Sequence, residues 1–264
     1  MKRFTSVVVL AALMAIVTGC GAVGSLMSKG EKEVSQYYKD RYGEIEKFDT
    51  ELESFSDVDI DMPIGEVKIE EGDSYSLKCV FPKKLIPEYE VKNGTLEIRG
   101  KDSRALYGDH EPDISLTVTV PKDADINMVT INCGMGNLAV NGVSGKKLDI
   151  DTNMGDITAN NDTFETVALS NSMGDVNLYN VTADNLNGAT TMGSAKISYS
   201  TIEDVNWNSS MGDVDLFGNY DKIRISDSMG NIDVNSEKDW KGVLCTSMGY
   251  VTVNGQDKGE SYEQ

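Results

Sequence analysis

The chain has 264 residues, of which 39% are apolar and 7% aromatic, and its formal net charge is −19. This length permits one large domain or two small ones, and the acidic balance excludes nucleic acid as a partner because the two would repel each other. Glycine is frequent (25 residues) and proline scarce (5), a composition that favours many short strands joined by glycine turns.

Residues 1–20 have the pattern of a secretory signal, in which two basic residues precede an apolar run at 7–17. This run is too short to span a bilayer comfortably. The segment 17–20 (Val-Thr-Gly-Cys) resembles the bacterial lipobox, which implies cleavage before Cys20 and acylation of its thiol. We therefore expect residues 1–19 to be a lipoprotein signal peptide, and the mature chain to be anchored through lipid on Cys20 at the outer face of a cell membrane.

Residues 20–54 are predicted to form a lipid-anchored tether that contains a short helix. Residues 21–30 are small and polar enough for a flexible linker, and residues 31–53 are rich in Glu and Lys with apolar side chains at near-helical spacing. We expect this helix to cover the open end of the domain that follows, and contact with a partner is the alternative.

From about residue 55 the apolar period changes to two, which is typical of strands. Asn93-Gly94 is a tight-turn signal between two of these runs, and a clear strand follows at 114–120. Residues 101–113 between them are polar and contain the only histidine, His110. We interpret the region as irregular early coils of the sheet that follows.

A Met-Gly pair then recurs seven times, at intervals of 19, 19, 19, 19, 18 and 19 residues. Counted from each Met, the positions six and four before it and three and five after it are apolar in 26 of 28 cases, and the two exceptions are glycine. A unit of about 19 residues is too short for a core of its own, so it must stack on its neighbours. The glycines that we expect to form the tight corners are Gly136, Gly155, Gly174, Gly193, Gly212, Gly230 and Gly249.

These patterns predict an all-β, single-domain β-solenoid (β-helix) over residues 55–255, with two short strands in each coil of about 19 residues. Residues 256–264 are expected to be a disordered C-terminal tail. Each Met is interpreted as filling the narrow corner of the core. Free buried thiols are expected at Cys79, Cys133 and Cys245, and a Cys79–Cys133 disulfide is the alternative.

The corner sequences resemble those of a bacterial family of adhesin-like domains, which are β-solenoids with a recurrent Gly-Asp-Val/Ile corner. The residues that carry the resemblance are 63–69 (Pro-Ile-Gly-Glu-Val-Lys-Ile), 154–157 (Met-Gly-Asp-Ile), 173–176 and 211–214 (Met-Gly-Asp-Val), and 229–232 (Met-Gly-Asn-Ile). The resemblance covers about residues 55–255 and implies an adhesin-like role on a lipoprotein or membrane protein. The chain departs from the family in having Met where a small residue is usual.

Two columns of the stack could hold a cation. The stacked Met thioethers could bind Cu(I) or form an apolar contact strip, and the carboxylates of Asp156 and Asp175 could bridge Ca²⁺. Copper sites usually combine Met with His or Cys, however, and the nonapeptide repeat of calcium-binding β-rolls is absent. We therefore predict no metal and no cofactor, and interpret Asp156, Asp175 and Asp213 as turn-forming residues.

Enzymatic activity is not expected, because a single histidine and five arginines offer no Ser/His/Asp, Cys/His or Asp/Arg constellation. The aromatic residues predicted in the outer loops could stack on sugars or on a protein, or could pack along the flank of the solenoid. These residues are Tyr179, Tyr199, Phe217 and Tyr220.

The expected role is that of a cell-surface or envelope lipoprotein that presents the solenoid to a glycan or a protein. The alternative is a regulatory or structural component of an envelope-stress system, which would act through a membrane-protein partner.

Overall fold

The structure is a computed structural model that describes residues 39–101 and 114–264. The predicted signal peptide, Cys20 and His110 lie outside these residues. The described chain forms 21 strands that belong to one continuous sheet. The prediction of an all-β solenoid is confirmed.

The strands that precede the repeat are β1 (Ile45–Glu51), β2 (Asp57–Met62), β3 (Glu66–Gly72), β4 (Ser76–Pro82), β5 (Glu88–Lys92), β6 (Thr95–Arg99) and β7 (Ser115–Pro121). A short 3-10 turn at Lys83–Leu85 separates β4 from β5.

The strands of the repeat are β8 (Ile126–Met135), β9 (Leu138–Asn141), β10 (Ser144–Met154), β11 (Ile157–Asn160), β12 (Thr163–Met173), β13 (Val176–Tyr179), β14 (Thr182–Met192), β15 (Ala195–Met211), β16 (Val214–Met229), β17 (Ile232–Ser236), β18 (Lys241–Met248) and β19 (Val251–Val253). Two short strands follow, β20 (Gln256–Asp257) and β21 (Ser261–Glu263).

The repeat stacks in parallel and in register, with each residue beside its equivalent in the next coil. Val129 pairs with Leu148, and Leu148 pairs with Val167. All 26 apolar residues at the four predicted positions are buried. The period-two pattern around each Met therefore identifies the inward face correctly.

The corner glycines form a column in which each backbone contacts the next. The N–H of Gly174 donates to the carbonyl of Met192 over 2.9 Å, and its φ is 132°, a conformation that favours glycine. A Cβ at Gly174 would overlap the carbonyl oxygen of Gly155. The same overlap recurs at the other six corners of the repeat, and Gly65 starts the column beneath Gly136.

The two glycines that interrupt the apolar pattern are explained by close contacts with the neighbouring coil. Gly188 faces the ring of Trp207 in the next coil, and a side chain there would occupy the space of that ring. Gly242 lies so close to the carbonyl oxygen of Ile223 that a Cβ would overlap it. Both exceptions therefore preserve the packing and the stack.

The early coils belong to the same sheet, as predicted. β2 lies in parallel between β6 and β8, and β3 lies in parallel between β7 and β9. The first coil is formed by β2 and β3. The coil formed by β6 and β7 lies on one side of it, and the first coil of the repeat, β8 and β9, lies on the other side. β5 and β6 form an antiparallel hairpin whose turn residues Asn93 and Gly94 both have positive φ, as the tight-turn signal predicts.

Both ends of the solenoid differ from the prediction. Residues 31–38 of the proposed helix at 31–53 lie outside the described residues. Residues 39–42 form a helical turn, but Ile45–Glu51 forms β1, which pairs antiparallel with β4, so the helix is wrong over that stretch. Side chains of β1 alternate between exposed and half-buried, which is the period of a strand. The predicted disordered tail 256–264 is also wrong, since β21 pairs antiparallel with β18 and Tyr262 packs against Trp240.

One acidic side chain is enclosed at the second corner of a coil. Asp162 is buried, and its Oδ1 accepts a hydrogen bond of 2.8 Å from the N–H of Val143, while its Oδ2 has no hydrogen-bond partner. Burial raises the pKa of Asp162 from 3.8 to about 7, although backbone N–H groups that bond the carboxylate lower it.

We expect Gly174→Ala to lower the free energy of unfolding by about 2–4 kcal/mol, because the new methyl group overlaps a backbone oxygen and the backbone is left-handed. Urea denaturation measures the difference. Gly255→Ala is the control, since Gly255 also has positive φ but no atom lies near its missing Cβ. Equal losses for the two variants would contradict close stacking at the corners.

Asp162 predicts a pH dependence of stability. Its carboxyl is protonated in the unfolded chain only below about 3.8 and in the folded chain up to about 7. Its contribution to stability is therefore complete below pH 3.8 and is lost as the pH rises to about 7. We expect Asp162→Asn, which keeps an acceptor for the N–H of Val143, to abolish this fall in the free energy of unfolding between pH 3.8 and about 7. The fall amounts to a few kcal/mol at most, and urea denaturation at several pH values measures it. The exposed Asp184→Asn serves as the control, and an unchanged pH profile in Asp162→Asn would refute the assignment.

Candidate functional site

The methionines of the repeat point away from the core. Met154, Met173, Met192, Met211, Met229 and Met248 are 38–63% exposed, and only Met135 is partly buried against the core. The interpretation that each Met fills the corner is therefore wrong for these six residues. Their exposed apolar side chains need another explanation.

Small polar side chains fill the corner instead. The residue two before each of these six methionines is buried, and the column consists of Thr152, Asn171, Thr190, Ser209, Asp227 and Thr246. Asn171 donates to the carbonyl of Gly155 over 3.0 Å, and Thr246 donates to the carbonyl of Gly230 over 2.9 Å. These bonds satisfy backbone oxygens at the narrow corner, which a thioether could not do.

The aspartate column has a structural role. Oδ1 of Asp156 accepts the backbone N–H of Asp175 over 2.9 Å, and Oδ1 of Asp175 accepts that of Ser194 over 2.8 Å. Asp213 does the same for Asn231. Each side chain thus bonds the coil above it, which explains why Gly-Asp recurs. In the part of the chain that the structure describes, no three His, Cys, Asp or Glu side chains converge on a metal position.

Three cysteines are described and all three are free. Burial raises the pKa of Cys79 to about 12 and that of Cys133 to about 11, so both thiols are unreactive at neutral pH. The alternative of a Cys79–Cys133 disulfide is not observed. Cys245 is exposed, which corrects the expectation that it is buried.

Three of the four predicted aromatic residues form a continuous exposed row on the second strands. The ring centroids of Tyr179 and Tyr199 are 5.2 Å apart, those of Tyr199 and Phe217 are 5.0 Å apart, and both contacts are edge-to-face. The exposed fractions are 49% for Tyr179, 61% for Tyr199 and 43% for Phe217. We call these three residues the aromatic row.

Tyr199 occupies a position that disfavours it. Its φ is 55°, and the equivalent corner residues in the preceding coils are Gly142, Asn161 and Asn180, the types that tolerate this conformation. The register shifts between Ser198 and Ser200, so Tyr199 bulges outward between its two neighbours in the row. A bulky side chain held in left-handed backbone carries strain that a residue such as Asn would reduce, and it is therefore a ground for a hypothesis of function.

The fourth predicted residue, Tyr220, is fully buried and does not belong to this surface. Its hydroxyl donates to the carbonyl of Ile197 over 3.4 Å, and burial raises the pKa of the phenol. The sequence contains a signal for this burial. Tyr220 is nine residues before Met229, and the same position holds the buried residues Ile126, Phe164, Ala183 and Ile202 in other coils.

The column that carries Tyr179 and Phe217 is uncharged. Asn160 pairs with Tyr179 on one side, Ser198 stands between the rings, and Asn235 pairs with Phe217 on the other side. Charges begin in the neighbouring outward column, where burial, followed by the nearby carboxylates of Asp233 and Asp213, raises the pKa of Asp215. The row thus offers ring faces and edges with amide groups at both ends.

Comparisons with known proteins agree with this architecture. The model of the Toastrack DUF4097 family matches residues 55–263. A crystal structure of a candidate adhesin from Bacteroides fragilis superposes with a TM-score of 0.59 at 17% identity, over 80% of this chain and 96% of the other. A candidate adhesin from Parabacteroides merdae gives 0.49 at 12% identity, over 80% and 96%. No functionally curated protein matches the chain significantly. Over residues 39–101 and 114–264 there is no helix of the length and apolarity that a membrane crossing requires.

Proposed function

The chain belongs to the Toastrack DUF4097 family, and on that premise we propose that it is a non-enzymatic, adhesin-like module that binds an uncharged glycan along the aromatic row. The observation that carries the proposal is the left-handed backbone of Tyr199. Asn or Gly occupies this corner in three other coils at lower conformational energy. The fold itself therefore does not require a tyrosine here.

The chemistry of the row favours a sugar polymer. Aromatic rings offer apolar faces to the C–H groups of a pyranose, and the amides of Asn160 and Asn235 at the two ends can bond its hydroxyls. Because the column contains no charged side chain, it provides no partner for a charged ligand. The rings follow one another at 5.0–5.2 Å, which suits an extended ligand that lies along the solenoid axis.

The similarity to the candidate adhesin from Bacteroides fragilis supports the coarser part of the proposal, which is an adhesin-like role. The two proteins share the fold at low identity, so the ligand itself is inferred from the aromatic row. The competing hypothesis, a regulatory component of an envelope-stress system, gives no reason for a strained tyrosine between two exposed rings.

The same proposal includes anchoring at the outer face of a cell membrane through lipid on Cys20, supported by the lipobox-like sequence at 17–20. We expect the wild-type chain to fractionate with membranes and Cys20→Ser to leave that fraction, as measured by immunoblotting of fractionated cells. Gly21→Ser, which leaves the thiol in place, is the control. Membrane retention of Cys20→Ser would exclude lipid on this thiol as the anchor.

We expect the chain from residue 21 onward to bind neutral polysaccharides, and the triple variant Tyr179→Ala, Tyr199→Ala, Phe217→Ala to bind them at least about tenfold more weakly, since each lost aromatic contact is worth about 0.5–1.5 kcal/mol. A glycan array identifies the ligand and isothermal titration calorimetry gives the affinity. Tyr250→Ala is the control, because Tyr250 is 63% exposed but lies at the methionine corner of the last coil. Absence of any glycan binding by the wild type would contradict the proposal.

A further variant of the same experiment separates function from folding. Tyr199→Asn places a residue that tolerates left-handed backbone at this corner, next to the Asn161–Asn180 amide contact. We expect it to raise the thermal midpoint by a few degrees, equivalent to roughly 1 kcal/mol, while it weakens glycan binding. If Tyr199→Asn lowered stability, the tyrosine would be needed for packing and the assignment of the row to binding would fail.

A further inference from the structure

The six exposed methionines form a second ordered surface, on the corner of the coils away from the aromatic row. We call Met154, Met173, Met192, Met211, Met229 and Met248 the methionine ladder. We propose that the methionine ladder binds soft monovalent d¹⁰ cations, with Cu(I) as the biological ion, each held between thioethers of neighbouring coils. The inference is independent of glycan binding.

The register of the ladder methionines is the first observation that supports a cation site. Met173 pairs in register with Met192, and Met192 pairs with Met211. The column continues through Met229 to Met248. Between Met154 and Met173 the coils are joined by the hydrogen bond from Gly155 N–H to the Met173 carbonyl. The backbones that carry the thioethers are therefore one strand spacing apart throughout.

That spacing matches a two-coordinate metal. Adjacent strands lie about 4.8 Å apart. Two metal–sulfur bonds of about 2.3 Å, the length found in zinc–thiolate sites, together span about 4.6 Å. An ion between two neighbouring thioethers thus needs almost no movement of the backbone, and the three rotatable bonds of Met supply the remaining adjustment.

The donor atoms select the ion. Thioether sulfur is a soft ligand that prefers Cu(I) to Ca²⁺, Mg²⁺ or other hard cations. The surroundings favour a cation as well, since Asp175 and Asp213 lie two residues beyond ladder methionines and the chain carries a net charge of −19. The sequence-based prediction of no metal rested on the lack of His or Cys beside the methionines and on their interpretation as corner-filling residues, and the exposure of the ladder removes the second of these grounds.

Packing does not account for the ladder. Five of its members are 38–41% exposed and Met248 is 63% exposed, while the corner itself is filled by the buried polar column. Met is not a favoured strand residue, and β-branched side chains would suit an exposed strand end better. A thioether at six successive corners therefore adds a chemical property that the fold does not need.

The test uses the chain from residue 21 onward with Cys245→Ser, so that the exposed thiol does not compete, and Ag(I) as a redox-inert probe. We expect uptake of about three Ag(I) ions per chain, one for each two of the six thioethers, measured by equilibrium dialysis and elemental analysis. The ¹³C-methyl signals of the ladder methionines should shift on binding. Cu(I) kept reduced by ascorbate should displace Ag(I), and Ca²⁺ should leave the methyl signals unmoved.

Leucine variants locate the ions. Met154→Leu, Met192→Leu, Met229→Leu leaves no two thioethers on adjacent coils, because Met154 is also the register partner of the partly buried Met135, so uptake should be lost. Met128→Leu is the matched control, because Met128 is 40% exposed outside the ladder and its loss should change nothing. Leu conserves the volume of Met, so the triple variant should keep the wild-type circular dichroism.

Two results would overturn the proposal. One is the absence of stoichiometric Ag(I) uptake by the parent chain. The other is uptake in which the ladder methyl signals do not move, which would place the ions elsewhere. The methyl signals of the parent chain decide this second point even if the triple leucine variant fails to fold.

Discussion

The structure depends on the contact between successive corner glycines. Each corner glycine from Gly65 to Gly230 donates its N–H to the carbonyl of the Met that begins the next corner, and the backbones approach so closely that no Cβ fits between them. This approach fixes the register of the whole stack, because a coil can lie on its neighbour only when the two glycines coincide. The interval of 18 residues between Met211 and Met229 is accommodated at the opposite side of the coil, where β15 pairs with β16 through a bulge at Ser198/Ser200.

In-register stacking has a consequence for the surface. A side chain that recurs at one position of the sequence period becomes a row about 4.8 Å in spacing, whatever its chemistry. Inward columns therefore become the core, the Asp/Asn column becomes a series of side-chain to backbone bonds, and one outward column becomes the methionine ladder. The aromatic row combines Tyr179 and Phe217 of another outward column with Tyr199 of the adjacent corner position. The repeat thus converts single residues into ordered outward rows, and the two proposed binding surfaces are rows of this kind.

The sequence predicts the columns well and their orientation at corners poorly. Alternation of apolar residues identifies all four inward positions, because a strand side chain must face one side or the other. At the corner two successive residues, such as Ser172 and Met173, are both exposed, so the alternation that predicts Met inside no longer applies. The terminal segments fail for a different reason. β1 and β21 pair antiparallel outside the parallel repeat, and the period of the repeat does not encode such partners.

Prediction of the candidate sites follows the same division. Tyr179, Tyr199 and Phe217 are found from their place in the outer loops, whereas Tyr220 is misassigned because its column was not among the four counted. What no sequence pattern reveals is the left-handed backbone conformation of Tyr199, on which the proposal of a binding role for its ring rests.

A solenoid of this kind tolerates change in its outward columns, since its stability comes from the inward columns, the glycine corners and the Asp/Asn bonds. Outward residues that cost conformational or solvation free energy therefore indicate a property that folding does not require. Tyr199 carries backbone strain where Asn would carry less, and the ladder exposes apolar thioethers where polar side chains would be better solvated. The two features lie in different columns and involve different chemistry. Each departs from what folding alone would favour, and this shared departure, more than the fold of the family, is the physical ground for assigning function to both.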